Sequence, residues 1–259
     1  MLIDSHCHIN DDMYINNPKD YVKKSNDNGV NVLLVVGYDL KSSEQALAIA
    51  EKFENVYAAV GIIPAEVKNA KKEDLSKIEE LLSNKKVIAI GEIGLDYYWD
   101  KEENVKYSQR EYFIYQIGLA NKYNLPVSIH CRDAYEDLVK ILKEHPVNKK
   151  GVIHCFSSSV EIANELIKLG YCLGFGGTST FKNSVKVKEV LRTVNSKNYM
   201  LETDAPYLTP EPHRGKPNHS MYLKHIRDNA ALLRNETPDQ IEKDTTENFC
   251  RVFGIWKNK

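Results

Sequence analysis

A single (β/α)8 barrel is the fold this sequence predicts, and three observations predict it. Strand-like apolar runs and amphipathic segments alternate from one end of the chain to the other, the pattern of parallel βα units. The chain has 259 residues with 42% hydrophobic content, enough for one large core and close to the roughly 250 residues such barrels need. Side chains of metal-binding type close short apolar runs along most of its length: His6 and His8, Glu92, His130, His154 and Asp204. In a parallel barrel all strands finish on one face, so residues distant in sequence meet there in one pocket. The expected organisation is therefore one domain over residues 1–259.

Eight strands are predicted in order: Leu2 to Ser5, Val30 to Val36, Val56 to Val60, Val87 to Gly91, Val127 to Ile129, Gly151 to Ile153, Cys172 to Phe175, and Tyr199 to Glu202. Helical stripes lie between them, such as Gln45 to Phe53 and Leu75 to Leu82. Pro18 suits a first helical turn, while Gly29 and Gly170 fall just past helix ends, where a left-handed residue is needed. Thr237-Pro238-Asp239-Gln240 opens a C-terminal helix as a capping box, and Thr245 to Phe253 is expected to pack as another.

No stretch approaches the ~18 apolar residues of a membrane span, and the start, Met1 to His6, has neither a basic nor an apolar leader segment. A soluble, cytoplasmic, monomeric protein with no membrane partner is the expectation. A formal net charge of −1 gives no global attraction to nucleic acid, so polyanion binding must be local. Three of the five cysteines, Cys7, Cys131 and Cys155, directly follow a histidine. Alternation along a strand turns them toward the helices if the histidines face inward, which makes them small buried hydrophobes rather than thiolate ligands.

His6 and His8, two apart on a strand, project to one side and can place two imidazoles on one ion. Glu92 follows an inward face read as Ile88, Ile90, Glu92. A carboxylate buried there needs a cation, either bridging metals or an Arg or Lys. His130 and His154 close their strands with the same grammar, a short apolar run followed by His-Cys. Each taken alone could be a satisfied core histidine. Glu202 and Asp204 share a face by the period of two. Asp204 at the tip is placed as a ligand or general base, and the deeper Glu202 as a residue that orients a ligand by hydrogen bonding. Arg132, Lys182, Arg214 and, more weakly, Lys216 fall just beyond strands, where cations would capture phosphate. Tyr97, Tyr98, Trp99, Phe156, Phe181 and Tyr207 also follow strand ends, as platforms for a stacked base or as lid packing.

Over nearly its whole length the chain resembles the TatD-type metal-dependent deoxyribonucleases of the amidohydrolase superfamily. The resemblance is carried by Asp4-Ser5-His6-Cys7-His8, Gly91-Glu92-Ile93-Gly94-Leu95-Asp96-Tyr97, Leu125-Pro126 through Arg132-Asp133-Ala134, and Gly151 through Ser157. It continues in Thr180-Phe181-Lys182-Asn183, Leu201 through Leu208, and Arg214-Gly215-Lys216. It implies a TIM-type barrel that hydrolyses nucleic-acid phosphodiesters with two divalent ions, of which Zn, Mg or Mn all suit the donors. One ion would be held by His6, His8, Glu92 and Asp204, the other by Glu92, His130 and His154. Two ions would activate a shared water near neutral pH, with Asp204 as base.

The sequence departs from the family where Gly-x-His-Pro is usual: it reads Gly61-Ile62-Ile63-Pro64, and Ile63 can neither bind a metal nor donate to phosphate. Ser158 and His219 are smaller departures in loops. The leading expectation is a nuclease acting on single-stranded or frayed DNA ends, with RNA as a further substrate. The alternatives are a binuclear hydrolase of a small amide, ester, lactone or phosphoester, and a protein that binds nucleic acid without cutting it. Intact Glu92 and Asp204 oppose the last.

Overall fold

The computed structural model describes residues 1–255 and is a (β/α)8 barrel of eight parallel strands in the order β1 to β8. The strands are β1 Leu2–Cys7, β2 Val30–Val36, β3 Val56–Val60, β4 Val87–Asp96, β5 Val127–Arg132, β6 Gly151–Ile153, β7 Cys172–Phe175 and β8 Tyr199–Leu201. The helices are α1 Pro18–Asp27, α2 Leu40–Ala50, α3 Lys72–Leu81, α4 Glu103–Tyr123, α5 Tyr135–Glu144, α6 Val160–Lys168, α7 Val185–Thr193, α8 Leu223–Arg234 and α9 Pro238–Phe253. Strands buried on both faces read as continuous apolar runs, which is why the sequence places all eight starts.

Two helical expectations are corrected. Helix α2 begins at Leu40 because the Asp39 carboxylate caps Ser42 N at 2.6 Å, and it stops before Phe53. The two C-terminal segments expected from the sequence are one helix: α9 runs unbroken from Pro238 to Phe253 because its buried stripe of Ile241, Thr245, Phe249 and Phe253 keeps helical spacing. Gly29 and Gly170 adopt left-handed φ of 82° and 95°, as read from the sequence.

The core has two layers. Outward strand residues such as Leu33, Val35, Ala58 and Ile129 pack with helix residues such as Leu47, Ile78, Phe113 and Leu138. Inward residues such as Ile3, Val32, Leu34, Ile88, Val152 and Met200 form a second cluster with Phe249 and Phe253 of α9 packed into it. Strand β4 departs from simple alternation. Its pairing shifts register between Ala58 and Ala59 of β3, and again between Ile90 and Ile93 against β5. Ile88 therefore joins the inner cluster but Ile90 the helix-facing one, which corrects the inward reading of Ile90.

The ring closes between β1 and the segment that follows β8. Asp204 N donates to His6 O at 2.9 Å, His8 N to Ala205 O at 2.7 Å, and the Ser5 hydroxyl to Leu201 O at 3.0 Å. Asp4 locks this seam from within. Its carboxylate accepts from Thr203 N at 2.9 Å, Thr203 Oγ1 at 2.5 Å and Ser220 Oγ at 2.6 Å. Among the described residues no helix is long and apolar enough to cross a membrane.

Candidate metal centre

Each predicted metal-type residue sits in the C-terminal half of its strand or just beyond it. His6 is the penultimate residue of β1 and His8 lies just past it, Glu92 is in β4, His130 in β5, His154 directly after β6, and Asp204 three residues beyond β8. Asp204 has φ of 56°, a left-handed conformation that Asp tolerates better than most residues. The six converge. Glu92 Oε2 faces His6 Nε2 at 3.4 Å and His8 Nε2 at 3.7 Å, while Glu92 Oε1 faces His154 Nε2 at 3.0 Å and His130 Nδ1 at 3.1 Å. Asp204 Oδ1 is 3.3 Å from His8 Nε2 and 3.8 Å from His6 Nε2. One carboxylate thus straddles two imidazole pairs, and a second flanks one of them.

The far nitrogens of His6, His8 and His130 each have a hydrogen-bond partner, and that of His154 faces a carboxylate without a hydrogen bond. His8 Nδ1 donates to Val36 O at 2.8 Å, His6 Nδ1 meets Ser128 Oγ at 3.2 Å, and His130 Nε2 meets Asp96 Oδ2 at 2.9 Å. His154 Nδ1 lies 3.5 Å from Glu202 Oε1, and the same oxygen accepts from Cys155 N at 2.5 Å. A side chain at Gly174 would collide with that carboxylate, so a glycine is required under Glu202. Asp96 and a carbonyl accept only, so in the neutral rings His130 Nδ1 and His8 Nε2 carry lone pairs. These lone pairs point at carboxylates and at one another: His6 Nε2 is 3.2 Å from His8 Nε2, and His130 Nδ1 is 3.4 Å from His154 Nε2.

Acceptors facing acceptors in a buried pocket need cations between them. Two overlapping groups can hold metal ions, His6–His8–Glu92 and Glu92–His130–His154, each with its donor atoms within 4.8 Å of one another; His6–His154–Glu202 is a third. The mixed imidazole and carboxylate donors fit a divalent cation, and this fit comes from the side chains themselves.

The titrations reflect the same crowding. Burial alone would raise Glu92, but the imidazoles of His154, His130 and His6 hold it well below the usual carboxylate range. Burial opposes the ionised form of Asp204 too, and His8 and His154 overcome it. Burial would lower His130 and His8, yet the facing carboxylates raise both; His6, buried and beside His154, is lowered.

Above the cluster opens a cavity of about 650 Å³. Arg132 reaches its wall and is stacked 3.6 Å over the Tyr98 ring. Lys182, Arg214 and Lys216 do not line it: all three are exposed, and Arg214 lies 3.7 Å over the Phe181 ring on the outer rim. Ile63 lines the cavity together with Tyr38, Glu66 and Tyr207. Phe156 is fully buried against Tyr135 and Phe175, so it is core and offers no face to a base. Trp99 and Tyr207 are exposed, at 70% and 52%. Among the described residues no disulfide joins the five cysteines. Cys7 is buried as expected, but Cys155 corrects the reading that turned it to the helices. Strand β6 ends at Ile153, so alternation stops before Cys155, and both it and Cys131 border the cavity. Burial pushes the Cys155 thiol up to about 12, leaving it no thiolate character.

Sequence reasoning gave no role to Asp96 or Asp4, although both were in view. Asp96 shares the even register of β4 with Glu92, and Asp4 precedes His6 and His8 at the same spacing, so the period of two was the available signal. The Ser128 contact had no local signal. His219 stacks on Tyr21 at 3.8 Å and accepts from Met221 N, packing the loop rather than replacing an acid in the site.

A family model described as TatD related DNase matches residues 3–254. An uncharacterized metal-dependent hydrolase of Bacillus subtilis strain 168, YabD, is 42% identical over 256 residues, covering 98% of this chain and 100% of that one. A second, YcfH of Escherichia coli K12, is 34% identical over 258 residues, covering 98% and 96%. Among solved structures, the TatD homologue YjjV of Escherichia coli K12 matches with a TM-score of 0.93 at 29% identity over 98% of both chains. A TatD family hydrolase from Entamoeba histolytica shares the fold, with a TM-score of 0.86 at 23% identity over 97% of both chains.

Proposed function

The chain belongs to the TatD-related DNase family and is a metal-dependent hydrolase, and from that premise we propose that it hydrolyses phosphodiester bonds at the ends of single-stranded or frayed DNA, with RNA as a second substrate. The observation that supports this reading best is the Glu92 carboxylate, whose two oxygens each serve a different imidazole pair. In this reading His6, His8, Glu92 and Asp204 would hold one divalent ion, and Glu92, His130 and His154 would hold a second. Bound there, the ions would polarise the phosphoryl group and lower the pKa of the attacking water.

The rest is done by the chain itself. The Asp204 carboxylate, which lines the cavity beside the cluster, takes the proton of the attacking water and returns it to the leaving oxygen. Asp96, Ser128, the Val36 carbonyl and Glu202 hold the four rings in fixed orientation, so that the donor atoms are arranged before substrate arrives. Arg132 offers a phosphate its planar fork from the cavity wall, and Arg214 and Lys182 meet phosphates further along the strand.

The test is degradation of an end-labelled single-stranded oligonucleotide by chelator-stripped protein, with Mg, Mn or Zn restored, beside Asp204→Asn. Metal-dependent laddering from one end, absent in the variant, is the expected result. No cleavage by protein that rebinds metal would remove the nuclease reading. A second reading, hydrolysis of a small amide, ester, lactone or phosphoester, is favoured by one observation: a single Arg or Lys, Arg132, lines the cavity among the described residues, against Tyr38, Ile63, Tyr207 and Leu208. A panel of such substrates tests it directly.

A further inference from the structure

We infer that the cavity wall formed by Tyr38, Ile63 and Glu66 is a subsite for a flat, phosphate-free group that presents N–H donors, which in a nucleic acid is the terminal base. The inference rests on the phosphodiester reading and deepens it, because it fixes which way the substrate lies. Glu66 is half-buried and lines the same cavity as Arg132. Its Oε2 accepts from Asn69 Nδ2 at 3.1 Å, and Oε1 meets no donor among the described residues. A free carboxylate oxygen at the edge of a cavity attracts N–H groups and repels phosphate.

The neighbouring residues select in the same direction. Ile63 adds an apolar surface, and its backbone N–H is committed to Tyr38 O at 3.0 Å, so the wall offers no donor there either. The Tyr38 ring stands edge-on to His8 at 5.8 Å, and Tyr207 stands edge-on to the same imidazole at 6.2 Å. The aromatic wall therefore abuts the ligand cluster, where the bond to be cut would lie. The Tyr207 hydroxyl donates to Asp11 Oδ2 at 3.0 Å, which sets a second carboxylate beside the aromatic wall that Glu66 shares. Arg132, which also lines the cavity, ends β5, two strands round the ring from the loop that carries Glu66, and Lys182 and Arg214 follow β7 and β8.

The mouth is thus polarised. Phosphates run from the cluster out past Arg132, and the end of the chain, which has no further phosphate, occupies the acidic side. Adenine, cytosine and guanine carry an exocyclic amine for Glu66 Oε1, whereas thymine offers only its ring N3–H, flanked by two carbonyl oxygens that a carboxylate repels.

The experiment compares metal-loaded wild type, Glu66→Gln and Ile63→His on single-stranded oligonucleotides that differ only in their ends. Each terminus is a hydroxyl or a phosphate, and the terminal base is adenine or thymine. The wild type is expected to degrade hydroxyl ends about tenfold faster than ends phosphorylated where degradation begins, and adenine ends about threefold faster than thymine ends. Both ratios should shrink to within about twofold in Glu66→Gln, which keeps the shape and loses the charge. Ile63→His, which adds a donor to the wall, should improve use of phosphorylated ends.

Equal use of both kinds of end, or ratios unchanged in Glu66→Gln, would overturn the subsite and leave the nuclease reading standing. If no oligonucleotide is cut, the nuclease reading fails and ligand-observed NMR decides the subsite alone. Adenosine bound in preference to thymidine by the wild type, with the preference lost in Glu66→Gln, would uphold it; a preference that the variant retains, or none, would overturn it.

Discussion

The floor of the cavity and its rim are built differently. At the floor, four imidazoles and two carboxylates stand on strands or immediately after them, and every ring is held by a second protein group. At the rim, Arg132 and Arg214 lean on Tyr98 and Phe181, Lys182 makes no ion pair among the described residues, and Trp99 is 70% exposed. The contrast shows where this protein invests order. The groups that must meet an ion within tenths of an ångström are fixed by the backbone ladder, while the groups at the rim stand at the end of a strand or on loops beyond it.

The sharpest way to break the comparison is at Glu92. Glu92→Gln keeps the shape but takes the shared charge from both imidazole pairs, and hydrolysis should fall by roughly 10³-fold or more. Metal content measured on the purified variant should drop with it. Retention of full metal content would mean that Glu92 does not bridge.

Stability should divide along the same line. Phe156→Ala removes a fully buried ring from beneath the site and should cost about 3–5 kcal/mol, whereas Trp99→Ala at the rim should stay within about 0.5 kcal/mol. Denaturant titration of both variants measures the difference, and similar values would show that the rim is packed more tightly than its exposure implies.

A smaller effect is expected one layer behind the donors. Asp96→Asn should weaken metal binding about 10–100-fold in a chelator competition, because His130 loses the acceptor that fixes its orientation. Asp137→Asn, which disturbs only Tyr97 and Arg110, should leave metal affinity where it was. Within the rim itself, Arg132→Ala should raise KM about tenfold, and Lys182→Ala should change it by less than about twofold, because an exposed charge outside the cavity is screened. Equal effects of the two would place substrate across the outer rim instead of down into the cavity.

How much of this was legible in the chain follows from the same physics. The eight strand starts were readable because parallel strands buried on both faces are unbroken apolar runs, and the six donors because each closes such a run. The inward reading of Ile90 failed because β4 shifts register twice, which depends on β3 and β5 and leaves no mark in β4 alone. The split of the C-terminal region failed because helical spacing through Ile241, Thr245 and Phe249 outweighs any local boundary. Rim cations were readable as types, but their relation to the cavity was not, since loop course is set by packing at its two ends.

The sequence by itself determined the barrel, the order of its strands and the identity of the side chains gathered at their ends, because those follow from periodicities of two and 3.6 that any short segment displays. Only the tertiary structure decided that Glu92 faces both imidazole pairs, that Asp4 locks the seam between β1 and the segment after β8, and that Glu66 and Arg132 line one cavity. Those relations join residues tens to hundreds of positions apart, and they exist only once the ring has closed and each strand's register against its neighbours has been set.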